Sequence, residues 1–122
     1  MSFNVSERYN CNIIEFKGNV MGGPDASRLN DTLHRLIDKG QKNVVVDLRK
    51  VSFMNSSGLG MLIGGLTTMR NAGGDLRIAN AASKIESLLI VTKLITVFKH
   101  FRSVEEAVES LSGLVEVGFG EE

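Results

Sequence analysis

The run Val44-Val45-Val46, followed by Asp47-Leu48, constrains the fold more than any other stretch of this sequence. It is continuously apolar and β-branched, so it lacks the alternation of a strand that has one solvent-facing side. Such runs are typical of parallel sheets, in which crossover helices cover both faces. The run therefore predicts a central, fully covered strand.

Helical and strand patterns alternate on both sides of this run, and from Phe16 onward this alternation predicts an α/β fold. Ser83 with Glu86 and Ser103 with Glu106 fit capping boxes that open the last two helices. The remaining elements are predicted, in chain order, as strands over 3–8 and 12–17, a loop over 18–23, a helix from Pro24, a loop over 49–55, a helix over about 57–71, and strands over 76–79 and 97–101.

Charge and composition exclude several classes of function. The chain has 14 Lys and Arg against 14 Asp and Glu, and this balance argues against a general nucleic-acid binder. Cys11 is the only cysteine, which rules out an internal disulfide and favours a buried thiol in a reducing compartment. The sequence shows neither a signal peptide nor an apolar stretch of the roughly 20 residues that a membrane span needs. We therefore expect a cytoplasmic protein.

Motifs for catalysis are missing from the sequence. The serine pair is not in a G-x-S-x-G pattern, no P-loop lysine follows the glycines, and no acidic, His or Cys cluster has metal-ligand spacing. His34 falls within an amphipathic helical pattern and is interpreted as a solvated surface residue. We expect no enzyme activity, no cofactor and no metal.

The segment MNSSGLGML, residues 54–62, places two hydroxyls before a glycine-containing helix. Capping of the helix N-terminus explains one serine, since a cap stabilises by roughly 1 kcal/mol. Each helical glycine costs about 1 kcal/mol relative to alanine. We expect Gly64 and Gly65 to pack against the sheet, and Gly58 and Gly60 to leave room for another protein beside an exposed serine.

The same position suits a phosphate group. The unpaired N–H groups and the positive end of the helix dipole favour added negative charge at a helix N-terminus. A phosphate there would leave the fold intact and block a partner that docks on the same surface. The residues alone therefore suggest a phosphorylation switch as one hypothesis beside capping.

Four stretches together resemble a STAS domain (sulfate transporter and anti-sigma factor antagonist) over residues 3–112: VVVDL, VSFMNSSGLGML, DLRIAN and SVEEAVESL. The resemblance implies a STAS-type fold, with a small mixed sheet of four to five strands and about four helices wound as successive β-α units. It also implies a bacterial anti-sigma factor antagonist. On this basis residues 1–112 form the domain and 113–122 a C-terminal tail.

The resemblance implies Ser56 as the phosphorylated residue. The kinase would be an anti-sigma factor of the histidine-kinase-like fold, which binds the unphosphorylated antagonist and releases it once phosphorylated. A metal-dependent serine phosphatase would restore the unmodified form. Several residues would form the docking surface around Ser56: Met21, Asp47, Asn55, Ser57, Gly58, Leu59 and Gly60.

Two positions depart from the family pattern. The family usually has Asp before the acceptor serine, where this chain has Asn55, and an acid after its second strand, where this chain has Met21. Both changes remove negative charge near the expected phosphate. A phosphoserine should be tolerated better here than in a typical member, while a kinase that reads either acid should recognise this chain poorly.

Other interpretations stay open. The chain could serve as an unphosphorylated STAS scaffold or a transporter-accessory subunit, or it could bind a nucleotide or lipid in a groove beside the 18–24 loop. In the tail, Val115, Val117 and Phe119 alternate with Glu116 and Gly118. This pattern allows a disordered end, an added edge strand, or pairing with a second copy of the chain in a homodimer.

Overall fold

The computed structural model describes residues 1–112, and the predicted tail over 113–122 lies outside the described residues. In chain order the elements are β1 (Ser2–Arg8), β2 (Cys11–Val20), α1 (Pro24–Asp38), β3 (Asn43–Met54), α2 (Ser56–Asn71), β4 (Asp75–Ala79), α3 (Ser83–Val91), a 3₁₀ turn (Leu94–Thr96), β5 (His100–Phe101) and α4 (Val104–Ser112).

The strands form one mixed sheet in the order β1-β2-β3-β4-β5. β1 pairs antiparallel with β2, and each later pair is parallel. Each parallel connection carries a helix, as a crossover requires. The predicted α/β class, with a small mixed sheet of four to five strands and about four helices, is confirmed.

Both faces of the sheet are covered, as the apolar run of β3 predicts. Val44 and Val46 face the larger core, which α1, α2 and α3 supply, whereas Val45 faces a smaller core beneath α4. All three valines are fully buried. Cys11 belongs to the smaller core, which confirms the prediction of a buried thiol. His34 is exposed on α1, also as predicted.

The structure corrects two predicted loops, the one before α1 and the one before α2. Residues 49–55 were predicted as a loop, yet β3 continues to Met54, and β2 continues to Val20 rather than ending near Lys17. The two strands pair with each other along this extension, with register shifts between Glu15 and Asn19. Because these bulges interrupt the period of two, the sequence lacks the alternation that would have indicated strands. β5 is shorter than predicted, because a 3₁₀ turn precedes it.

The two predicted capping boxes differ in outcome. Ser103 Oγ accepts from Glu106 N at 3.1 Å, as predicted for the cap of α4, and the Glu106 carboxylate reaches the Arg102 N–H at 3.4 Å. The box at Ser83 is wrong, since Ser83 is itself the first residue of α3 and no side chain caps that helix. Glu86 instead lies 3.4 Å from His100 Nδ1.

Candidate functional site

The tip of α2, defined here as residues 55–60 with Met21, presents two adjacent hydroxyls to solvent. Ser56 and Ser57 are the first two residues of α2, and both are exposed. β3 ends one residue before the helix cap, and the Asn55 N–H donates to Val20 O at 3.2 Å. The serines are therefore held at the end of two paired strands of the central sheet.

Asn55, not a serine, caps α2. Its Oδ1 accepts from the Gly58 N–H at 2.8 Å, and its backbone is extended as N-cap residues require. The expectation that capping explains one serine is therefore wrong. Both hydroxyls lie inside the first turn, where the backbone N–H groups of the first two residues have no partner within the helix.

Gly58 serves packing rather than access. A Cβ on this residue would lie 2.0 Å from Val20 O, so only glycine allows α2 to sit this close to β2. Gly58 is buried, and Leu59 is only 5% exposed. Gly58 and Leu59 form the buried side of the tip, so neither adds exposed surface to the predicted docking site.

Gly60 and Gly64 are open, in contrast to Gly58. A Cβ on either would meet no atom within 4 Å. Gly65 packs tightly, since its Cβ would lie 3.2 Å from side-chain carbons of both Leu33 and Leu76. The packing prediction is thus confirmed for Gly65 and wrong for Gly64, while the predicted space above Gly60 is present.

Met21 borders the tip from the β2–α1 loop. Its neighbour Gly22 has φ +83, a conformation that favours glycine, and a Cβ there would lie 2.9 Å from the Ser57 Cβ. This contact fixes the loop against the start of α2. Met21 itself is 47% exposed, so a thioether side chain occupies solvent beside the serines.

Asp47 is not brought to the tip. It is 7% exposed and lines a concavity of about 490 Å³ beside α4, on the opposite face of the sheet from α2. Its Oδ1 accepts from the Arg49 N–H at 3.1 Å and from Asn80 Nδ2 at 3.0 Å. These hydrogen bonds give Asp47 a structural role within β3, beside the end of β4.

Two concavities lie beside the start of α2. An α1–α2 groove of about 420 Å³ is lined by Ala26, Leu29, Asn30, Ser57, Gly60, Met61, Gly64 and Gly65. A second concavity, of about 180 Å³, is lined by Phe53, Met54, Lys84, Ile85 and Leu88. Phe53 is 45% exposed. The sequence signal was an aromatic residue two positions before Asn55, in a segment that was interpreted as a loop.

Other chemistry is sparse in the described part of the chain. Residues 1–112 contain no group of three or more His, Cys, Asp or Glu side chains that could hold a metal ion. The shifted pKa values lie away from the tip. Burial raises the pKa of the Cys11 thiol, and a backbone hydrogen bond, assisted by Arg8, lowers the pKa of Glu105. The tip therefore offers hydroxyls and apolar surface rather than an acid–base pair.

No helix within residues 1–112 has the length and apolar character required to cross a membrane.

Comparison with known proteins identifies the family. Residues 2–107 match the STAS domain. The anti-sigma-B factor antagonist of Bacillus subtilis (strain 168) is 31% identical over 97 residues, which cover 77% of this chain and 86% of that protein.

Two solved structures share the fold. The Bacillus cell fate determinant SpoIIAA in its phosphorylated form has a TM-score of 0.68 at 17% identity, covering 89% of this chain and 98% of that one. A sulfate transporter family protein from Wolinella succinogenes has a TM-score of 0.74 at 20% identity, covering 88% of both chains. The chain thus belongs to the STAS domain, anti-sigma factor antagonist family.

Proposed function

We propose that this chain is an anti-sigma factor antagonist whose binding to its partner is switched off by phosphorylation of Ser56. The observation that carries the proposal is that Ser56 is exposed at the start of α2 while Asn55, and not Ser56, supplies the helix cap. A serine that capped the helix would lose that role on modification, whereas the Ser56 hydroxyl makes no hydrogen bond to the residues that the structure describes.

The electrostatics of the tip favour a phosphate. The first turn of α2 contains no acidic residue, and the helix dipole directs its positive end toward Ser56. A negative group at such a site gains about 0.3–1 kcal/mol when it is exposed. The modification would therefore leave the fold stable and change only what the tip can bind.

The same modification would end binding through charge. A phosphoserine carries about −1.5 to −2 charges and a hydration shell. A partner that covers Ser56, the exposed Met21 and the flanking concavities would have to bury that charge, which is costly unless cations are supplied. Release on phosphorylation follows if the partner surface is apolar.

The proposed partner is an anti-sigma factor that is also a serine kinase of the histidine-kinase-like fold. It would transfer the γ-phosphoryl group of ATP to Ser56 Oγ, with loss of the hydroxyl proton and release of ADP. A metal-dependent serine phosphatase would hydrolyse the phosphoester and return inorganic phosphate. In this scheme the chain itself catalyses neither step.

Asn55 and Met21 change the electrostatic environment of the proposed phosphate. Two like charges about 4 Å apart repel by roughly 1 kcal/mol in bulk water and by roughly 4 kcal/mol near a protein surface. Because neither residue is acidic, a phosphate on Ser56 escapes that repulsion. A cognate kinase must then recognise the tip by shape and by the Asn55 amide rather than through an acid.

Phosphorylation is tested by incubating the purified protein with purified candidate kinases and Mg·ATP, followed by mass spectrometry. We expect one phosphate on Ser56, none on Ser56→Ala, and normal modification of Ser57→Ala. Ser57→Ala is the matched control, since it removes the neighbouring hydroxyl from the same exposed turn. Phosphate found on Ser57 alone would contradict the assignment.

The binding half of the proposal needs its own measurement. Calorimetry should give similar affinities for wild-type protein and Ser56→Ala, and at least tenfold weaker binding for Ser56→Asp. Equal affinity of Ser56→Ala and Ser56→Asp for a partner that phosphorylates the wild-type chain would refute the switch while leaving the modification site intact.

A second candidate function is that of an unphosphorylated scaffold or transporter-accessory subunit. It is favoured by the shared fold of the sulfate transporter family protein. Absence of phosphate with every cognate kinase, together with co-purification with a transporter, would support it. A nucleotide- or lipid-binding module is a third candidate, for which the concavity nearest the 18–24 loop is the α1–α2 groove.

A further inference from the structure

β1 is an open edge of the sheet. It lies at one end of the strand order, and within residues 1–112 it pairs with β2 alone. Its pairing with β2 is regular over all seven residues, and every residue except Phe3 is exposed. The opposite edge strand, β5, has only two residues. The described part of the chain therefore leaves one long edge uncovered.

The sequence of β1 does little to block further pairing. Exposed edges are usually protected by Lys, Pro, a bulge or short length. SFNVSER contains neither Lys nor Pro, its charged residues Glu7 and Arg8 stand at one end, and its pairing shows no bulge. Such an edge presents backbone N–H and C=O groups to which another strand can be added.

The hairpin between β1 and β2 decides which residues direct those groups outward. Residues 9–10 form a two-residue turn with φ of 53 and 66, so Arg8 and Cys11 close the hairpin. Closing residues hydrogen-bond to each other, and the bonding side alternates along an antiparallel strand. Alternate residues therefore direct their N–H and C=O groups away from β2: Phe3, Val5 and Glu7.

These three outward residues are self-complementary. An antiparallel copy of β1 centred on Val5 places Val5 opposite itself and Phe3 opposite Glu7 of the second copy. All three positions then form hydrogen-bonded pairs, which gives about six backbone hydrogen bonds. A shift of two residues in either direction loses one of these pairs. The register also covers the Val5 side chain, which is 43% exposed, and sets no like charges opposite each other.

The side chains match in charge. Glu7 is exposed and forms no ion pair within residues 1–112, and in this register it lies opposite Phe3 of the other copy. The Arg28 guanidinium carbon lies 5.0 Å from the centroid of the Phe3 ring. Arg28 also pairs with Asp25 at 3.1 Å, yet its side chain is 52% exposed and can bind a second carboxylate. The concavity of about 300 Å³ beside Phe3 has two cations and one acid among its lining residues, which are Arg28, Asp31, Thr32 and Arg35.

We propose that β1 pairs antiparallel with β1 of a second copy, about a twofold axis at Val5, so that two five-stranded sheets form one continuous sheet in a homodimer. Glu7 of each copy pairs with Arg28 of the other. A seven-residue edge buries less surface than a permanent dimer needs, so this dimer is reversible and depends on concentration. It requires neither Ser56 nor its modification.

Sedimentation of the full chain tests the dimer over a protein range of about 1 μM to about 1 mM. The mass should rise with concentration from 13.3 kDa toward twice that value. Val5→Pro removes an N–H that faces away from β2, so it should keep the fold and weaken association by at least about tenfold. Val5→Thr keeps the N–H and should associate like the wild-type chain. A chain that stays monomeric throughout, or a Val5→Pro variant that dimerises normally, would overturn the proposal.

Charge reversal tests the pairing independently of the strand backbone. Glu7→Arg and Arg28→Glu should each weaken the dimer, and the two together should restore it, because each reversed residue then meets its opposite in the other copy. Lys84→Glu makes the same change of charge as Arg28→Glu at an exposed position on α3 and should leave the dimer unchanged. An equal loss in Lys84→Glu, or no recovery in the double variant, would contradict the proposed pair.

Disulfide trapping tests the register. Val5→Cys places two thiols on a hydrogen-bonded pair whose Cα atoms lie about 5.5 Å apart, within disulfide range. Ser6→Cys is the control from the same exposed strand, since its Cα would lie roughly 8 Å from that of its own copy, beyond that range. Cys11 is buried in both variants. Mild oxidation should cross-link Val5→Cys and not Ser6→Cys, and the reverse result would refute the register.

Discussion

Alanine at Gly58 and alanine at Gly60 should change stability in opposite directions, although the residues are two positions apart in one helix. The methyl group added at position 58 would lie 2.0 Å from Val20 O and 2.6 Å from the Val20 carbonyl carbon. Both atoms belong to the backbone of β2, which cannot rotate away as a side chain can. The methyl group at position 60 would point into open space.

The magnitude follows from three terms. Overpacking at position 58 costs about 1–3 kcal/mol. Displacing α2 also weakens the Asn55 N–H bond to Val20 O, a hydrogen bond worth about 0.5–1.5 kcal/mol. The gain in helix propensity returns about 1 kcal/mol. Gly58→Ala should therefore lower the free energy of unfolding by about 0.5–3.5 kcal/mol, whereas Gly60→Ala should raise it by up to about 1 kcal/mol.

Urea denaturation followed by circular dichroism measures this difference. For a small protein the denaturant slope is about 1–3 kcal/mol per molar, so at a slope near 2 the midpoint of Gly58→Ala should lie roughly 0.3–2 M below that of Gly60→Ala. Gly64→Ala is the matched control, because a Cβ at this exposed helical position also meets nothing within 4 Å. It should behave like Gly60→Ala.

Equal midpoints for the alanine variants at 58 and 60 would refute the reasoning. They would mean that α2 can move away from β2 at little cost, and that the close contact with Val20 does not hold the tip. A destabilised Gly60→Ala would instead mean that the space above residue 60 is filled within the fold.

Further predictions concern the cap and the two shifted groups. Asn55→Ala should lower stability by about 1 kcal/mol in thermal unfolding, while Asn55→Asp, which keeps a cap oxygen, should not. The raised pKa of Cys11 contributes stability that is present below the ordinary thiol pKa of 9.0 and is lost as pH rises through the higher folded value. Labelling with a thiol reagent at neutral pH should accordingly be slow until urea is added. The lowered pKa of Glu105 contributes stability above the ordinary value of 4.5 that is lost as pH falls through the folded value, and Glu105→Gln should remove that part of the acid dependence.

The sequence predicted the layers of the fold because its strongest patterns are set by burial. Leu29, Leu33, Leu36 and Ile37 recur at helical spacing on one face of α1; the three leucines are buried, and Ile37 packs partly buried against the same core. The run at Val44–46 indicated a strand covered on both faces, which the structure confirms. Both signals reflect burial alone and do not depend on which neighbour supplies the contact.

The same sequence patterns do not predict the extension of β3 from residue 49 to Met54. Beyond Asp47 the strand pairs with β2 alone, across bulges, and its burial is neither continuous nor alternating. The cap of α2 was missed for a different reason. Asn55, Ser56 and Ser57 are all good N-cap residues, so propensity could not decide which of them ends the extended backbone. That choice depends on where β3 stops pairing with Val20.

The glycines show most clearly what a single sequence leaves undecided. Gly58, Gly60, Gly64 and Gly65 look alike as helix-weakening residues, yet a Cβ would press on neighbours from other elements at two of them and would meet nothing at the other two. Those neighbours come from β2, β4 and α1, far away in the chain. Only tertiary structure distinguishes a glycine that packs from one that is open.

By this distinction the residues of the MNSSGLG segment form two groups: those that the fold requires and those that are left for function. Asn55, Gly58 and Leu59 are accounted for by capping and packing. Capping and packing among the described residues do not explain Ser56 or Gly60. Ser56 is exposed to solvent. Gly60 costs the helix about 1 kcal/mol relative to alanine, although a Cβ there would meet no atom within 4 Å. If a partner approaches the backbone at Gly60, Gly60→Ala should fold at least as well as the wild-type chain and still bind the kinase more weakly. A variant that is both more stable and fully active in binding would assign Gly60 no part in docking.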